Sequence, residues 1–161
     1  MSIFNENGII INESKKNDYD FVNNKEGKIP VKIGNKMISI QIDIEHMPDE
    51  NIPVFTKLVN SIESLVKSNI NKIYDVYEDF YNATHDGDDK ISEPIIKVNK
   101  LFDNIQITFC SYDDIRAGKY YICGEFKDGI GADIEHGWGL EFIYNKNKFV
   151  FSSAGAFDIA L

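Results

Sequence analysis

The sequence predicts an α+β fold, an antiparallel sheet with one long amphipathic helix packed on it, and three patterns point to it. Residues 37–45 alternate apolar and polar side chains with period two. Residues 55–81 then switch to apolar residues recurring every three or four positions. The last third of the chain returns to short β-rich segments separated by turn residues at hairpin spacing. At 161 residues, with no linker, repeat or low-complexity tract, residues 1–161 are expected to form a single domain around one core.

Taken in order, Gly8 to Ile11 and Tyr19 to Val22 are short candidate strands, expected as outer members of the same sheet. Lys28 to Ile33 and the run from Met37 to Glu45 flank Gly34-Asn35, which reads as a hairpin whose glycine supplies a positive φ. In that run Ile38, Ile40, Ile42 and Ile44 share one side. Pro48, Asp49, Glu50 and Pro53 stop the strand and suit the first turn of a helix. The apolar stripe from Phe55 to Tyr81 predicts that helix, bent near Ser68-Asn69 and ending near Asn82. Ser92-Glu93-Pro94 could open a short helix carrying Ile95, Ile96, Val98, Leu101 and Phe102. Ile105 to Cys110, Lys119 to Lys127, Gly139 to Tyr144 and Lys148 to Phe151 read as an antiparallel meander, with Asn145-Lys146-Asn147 as a hairpin tip. The apolar C-terminus, Ser152 to Leu161, is expected to dock on the domain.

The opening residues hold no basic segment followed by an apolar stretch, and no long apolar run follows, so a cytoplasmic protein without membrane association is expected. Cys110 and Cys123 lie on neighbouring predicted strands; in a reducing compartment they are expected as buried thiols. The formal net charge of -9 repels phosphate backbones, which argues against a nucleic-acid ligand. The same charge would attract a basic protein surface, or would simply keep the chain soluble.

The segment Gly129 to Phe142 gathers Asp133, Glu135, His136 and the single tryptophan, Trp138, among glycines. Asp133, Glu135 and His136 could act as metal ligands or as an acid-base group. No second histidine or cysteine completes a zinc-like set, however, and no nucleophile stands beside them in sequence, so no metal and no catalytic residues are expected. In the structural alternative, Trp138 anchors the core and His136 with its carboxylates ties down the loop. Asn82 to Glu93 places Asn82, Thr84, Asp86, Gly87 and Glu93 on calcium-loop positions, but Asn82 stands where Asp is required and Asp89 where an apolar residue is required. An acidic turn is the better reading, with Asp86, Asp88 and Asp89 available to a basic partner. Phosphate-binding glycine loops and the common hydrolase and redox motifs are missing from the sequence.

The run Asp133-Ile-Glu-His-Gly-Trp-Gly-Leu-Glu-Phe142 and the closing Asp158-Ile-Ala-Leu161 resemble a group of small uncharacterised bacterial domains with an Asp-Glu-His-Gly-x-Gly-hydrophobic signature near the C-terminus. The resemblance covers about the last 110 residues, and Ile134 interrupts the acidic pair of the motif. It implies an association with polymorphic-toxin systems, in which small acidic proteins serve as immunity factors. The expectation is therefore a non-enzymatic inhibitor without cofactor that occludes a cognate basic toxin. Tyr112, Tyr120 and Tyr121 would be its anchors, and Asp86, Asp88, Asp89, Asp113 and Asp114 its acidic rim. The alternatives are a metal-dependent enzyme built on Asp133, Glu135 and His136, or a structural or regulatory module.

Overall fold

The computed structural model of the chain describes residues 2–4, 10–12, 15–85, 95–113, 115, 118–131 and 136–160. The architecture is α+β: a six-stranded sheet, mostly antiparallel, with helices on one face. Its strands are β4 (Glu26–Ile33), β5 (Lys36–Asp43), β6 (Ile105–Asp113), β7 (Lys119–Phe126), β8 (Trp138–Asn145) and β9 (Lys148–Gly155), hydrogen-bonded in sequence order. The predicted hairpin is β4–β5, closed by the pair Ile33 and Lys36 with Gly34 at φ 59°. At the other edge, Lys146 and Asn147 both take positive φ, the twisted turn that suits a two-residue hairpin between β8 and β9.

Several expectations need correction. The N-terminal strands do not extend the main sheet: β1 (Ser2–Phe4), β2 (Ile10–Asn12) and β3 (Lys15–Tyr19) form a separate three-stranded antiparallel sheet. Phe21 and Val22, expected in a strand, lie instead in a turn over residues 21–23. Tyr19 and Phe21 stack at the end of β3, Phe21 packs edge-on against Phe55, and the Tyr19 hydroxyl donates to the Pro30 carbonyl at 2.8 Å. Pro30 sits on the edge strand β4, where its missing N–H interrupts no ladder.

The long helix is three helices, α1 (Ile52–Asn60), α2 (Ile62–Ser68) and α3 (Ile70–His85). Ser61 (φ -109°, ψ 6°) and Asn69 (φ -113°, ψ 20°) leave helical geometry at the two joints. Asn69 turns its side-chain amide onto the Leu65 carbonyl at 2.8 Å, and Ser64 donates its hydroxyl to the Ser61 carbonyl at 3.0 Å. Short polar side chains that compete for backbone groups thus break what the apolar period reads as continuous. The stripe nevertheless points one way, with Phe55, Leu58, Val59, Ile62, Val66, Ile73 and Tyr77 all buried.

These helices carry the chain back across the sheet, so β6 runs parallel to β5 and the sheet is mixed rather than wholly antiparallel. The short helix α4 covers Val98–Leu101 with Lys97, not Ser92, at its start; Ser92 to Pro94 lie outside the described residues. The β6–β9 meander forms as read. The C-terminal residues 157–160 form a 3-10 turn on the face away from the helices, where Phe157 meets Phe109 and Ile159 lies over Gly139.

Trp138 is fully buried, and Gly124 on β7 makes room for it. A Cβ there would stand 1.8 Å from the Gln106 carbonyl oxygen and 2.6 Å from the indole. Cys110 and Cys123 are buried free thiols. Cys110 faces Ile122 and Cys123 faces Phe109, so the two side chains leave opposite faces of the sheet, which explains why they do not bond. Burial raises both thiols, Cys123 to about 12. No described helix is long and apolar enough to cross a membrane.

Candidate functional site

The parallel pair β5–β6 has two ends with different chemistry. At its C-terminal end, the register of β4 on β5 sets Glu26 opposite Asp43, a like-charge pair that a sheet disfavours. Glu45 follows within two residues, its backbone N–H donating to the Asp43 carboxylate at 3.3 Å. The hydrogen bond between the Glu26 and Glu45 side chains, then the Glu45 charge, with slight burial and the Asp43 charge behind them, raises the Glu26 carboxyl above its ordinary value. All three residues are exposed. Asp49 and Glu50 lie just beyond, Asp49 in an ion pair with Lys25.

β6 delivers its own C-terminus to the same end, since Asp43 is the registered partner of Ser111. Tyr112 is half-buried with its ring edge-on to Tyr120 at 5.2 Å, and its hydroxyl accepts the Gly118 N–H at 3.3 Å. The Asp113 carboxylate accepts the Ile115 N–H at 2.9 Å, which holds Ile115 outward at 90% exposure. An acidic rim with an apolar tip results.

On the face away from the helices, Ser111, Tyr121 and Glu141 form a row across β6, β7 and β8. The Tyr121 hydroxyl donates to Glu141 Oε2 at 2.7 Å, Ser152 Oγ donates to Oε1 at 2.9 Å, and Lys119 Nζ stands 3.2 Å from Oε1. Burial alone would raise the Glu141 carboxyl; the hydrogen bonds from Tyr121, Ser152 and Lys119, with the Lys119 charge, outweigh it and hold the group below its ordinary value. Ser111, although 5% exposed, has no hydrogen-bond partner for its hydroxyl among the described residues. The carboxylate ties edge strand β9, at the bulge that Ser152 makes, back to the centre of the sheet.

No family model, curated protein or solved structure matches this chain. The candidate site therefore rests on geometry alone.

Of the residues singled out in the sequence, Tyr112 and Asp113 belong to the acidic end. Tyr120 and Tyr121 do not serve as surface anchors, because they are 2% and 0% exposed. Adjacent on β7, they lie on opposite faces of the sheet, and both faces are covered: Tyr120 bonds Asn51 at 3.1 Å on the helix side, and Tyr121 bonds Glu141 on the other. Asp86, Asp88, Asp89, Asp114, Asp133 and Glu135 lie outside the described residues. His136 is exposed and its ring stacks on Phe80 at 5.6 Å. Among the described residues no group of three or more His, Cys, Asp or Glu side chains could hold a metal ion. Sequence reading missed Glu26, Asp43 and Glu45 as a group. The signal was present in the hairpin register, which counts outward from Gly34-Asn35 to set Glu26 against Asp43.

Proposed function

We propose that the chain is a non-enzymatic binding protein of the immunity type, whose acidic end covers a basic surface of a cognate toxin domain and occludes it. The observation that carries this reading is the crowding of Glu26, Asp43 and Glu45, which raises the Glu26 carboxyl where solvent is freely available. A cationic partner would relieve that repulsion, so complementarity would speed encounter and favour basic surfaces over acidic ones. Ile115, 90% exposed next to Asp113, offers an apolar side chain that a partner could bury beside the rim. The net charge of -9 adds long-range attraction of the same sign.

The test is whether the chain protects cells that express the product of the gene neighbouring its own. Expected results are survival with the native chain, loss of survival when Glu26, Asp43 and Glu45 are all replaced by lysine, and a complex that weakens as salt rises. Absence of protection by the native chain, or full protection by the triple lysine variant, would refute the reading.

A further inference from the structure

At the opposite, N-terminal end of the parallel pair, the sheet is split. β5 and β6 share only three registered pairs, Gln41 with Phe109, Ile42 with Cys110 and Asp43 with Ser111. Below them the strands diverge around a cleft of 840 Å³, within the size range of ligand pockets. The cause of the divergence lies in β6: its register on β7 shifts between Ile107 and Phe109, leaving Thr108 as an extra residue, and such a bulge bends its strand and ends pairing.

Both walls present strand edges. The hairpin-closing pair Ile33 and Lys36 makes Ile38 and Ile40 the β5 residues that bond to β4, so Met37 and Ser39 direct their N–H and C=O groups away from β4, and Ser39 lines the cleft. On β6, the Lys127 N–H bonds to the Asn104 carbonyl at 2.9 Å, which turns Asn104 and Gln106 toward β7 and leaves Ile105 and Ile107 directed at the cleft. The walls are braced apart from behind by α2. Glu63 accepts the Gly34 N–H at 3.0 Å and the Lys67 ammonium at 3.0 Å, while Lys67 lies 4.9 Å above the Phe102 ring. Lys36, Lys67 and Lys127 line the cleft against Glu63 and Asp103, a positive balance in an otherwise acidic chain.

We propose that this cleft receives an extended, acidic peptide segment of a partner polypeptide, added as a short strand between β5 and β6. Main-chain bonds to Met37, Ser39, Ile105 and Ile107 would supply affinity, as in other strand additions to an open sheet edge. Lys36 and Lys127 at the walls select carboxylates. The cleft lies at the end of the β5–β6 pair away from the acidic rim, so the inference does not rest on the toxin-docking reading and stands or falls separately.

Amide hydrogen exchange and chemical shifts of the whole chain test it, with blocked pentapeptides as probes: Val-Glu-Val-Glu-Val, its lysine counterpart, and a copy of the first methylated on alternate amide nitrogens. In the free protein, Met37 and Ser39 should exchange faster than Ile38 and Ile40. Millimolar glutamate peptide should slow exchange at Met37, Ser39, Ile105 and Ile107 by about tenfold or more. The lysine peptide should bind about tenfold more weakly, and the methylated copy should give no protection. Ser39→Pro should abolish the protection, since its N–H is not used in the β4 ladder. The pair Lys36→Glu and Lys127→Glu, both on the surface, should reverse the preference between the charged peptides even if the proline variant does not fold. Unchanged exchange at all four amides, shifts confined to other surfaces, or equal binding of the two charged peptides would overturn the proposal.

Discussion

Among the described residues, one buried hydroxyl, that of Ser111, has no hydrogen-bond partner, a departure from what a folded interior normally tolerates. Ser111 Oγ sits in the sheet beside Tyr121, and it has lost water without gaining a bond among the described residues. Removing such a group is close to neutral or favourable, because no partner is left behind and the desolvation penalty disappears. Ser111→Ala should therefore leave stability unchanged or raise it by up to about 1 kcal/mol in urea unfolding. A loss of more than about 1 kcal/mol would show that the hydroxyl is bonded in solution. Gly124 carries the opposite lesson: its missing side chain is required, because Trp138 and the neighbouring strand occupy the space.

Element by element, the fold depends on a few side chains that bond across long stretches of sequence. Tyr77 of α3 is the clearest. Its hydroxyl donates to the Ile130 carbonyl at 2.6 Å and accepts the Ile96 N–H at 3.0 Å, so one oxygen fixes both the turn after β7 and the approach to α4. The ring also packs against Tyr74, Tyr81 and Phe126. Tyr77→Phe keeps the packing and strands one carbonyl and one N–H, at a cost of about 1–3 kcal/mol. Urea unfolding should show that loss, and amide exchange should quicken at Ile96. Unchanged stability would mean that water replaces the hydroxyl without cost.

For the molecule as a whole, the uneven distribution of charge matters more than its total. The end holding Glu26, Asp43 and Glu45 works against folding at neutral pH, since the folded state raises the Glu26 carboxyl. A group raised on folding favours the folded state below its unfolded value, and that advantage is lost as pH rises through the folded value. Glu26→Gln should accordingly be more stable than the native chain at pH 7, and the difference should vanish well below the ordinary glutamate value of 4.5. Thermal unfolding of both proteins across that pH range measures it. A variant less stable at pH 7 would show that the carboxylate is attracted to a cation rather than repelled by its neighbours. The native end would then be poor ground for docking a basic surface.

Much of the architecture was legible in the residues themselves. The alternation of Ile38, Ile40, Ile42 and Ile44, the Gly34 turn and the four β-rich segments after Ile105 each specify a strand through local patterns, because side-chain period and turn chemistry act over a few neighbours. The apolar stripe fixed which helical face is buried, yet it could not show the breaks at Ser61 and Asn69, where polar side chains and backbone compete over a single residue. The parallel pairing of β6 on β5 and the burial of Tyr121 on the far face were decided only in three dimensions. Each joins residues through the return of a helical crossover or the covering of a sheet face, and such long-range closure leaves no local period for a sequence to display.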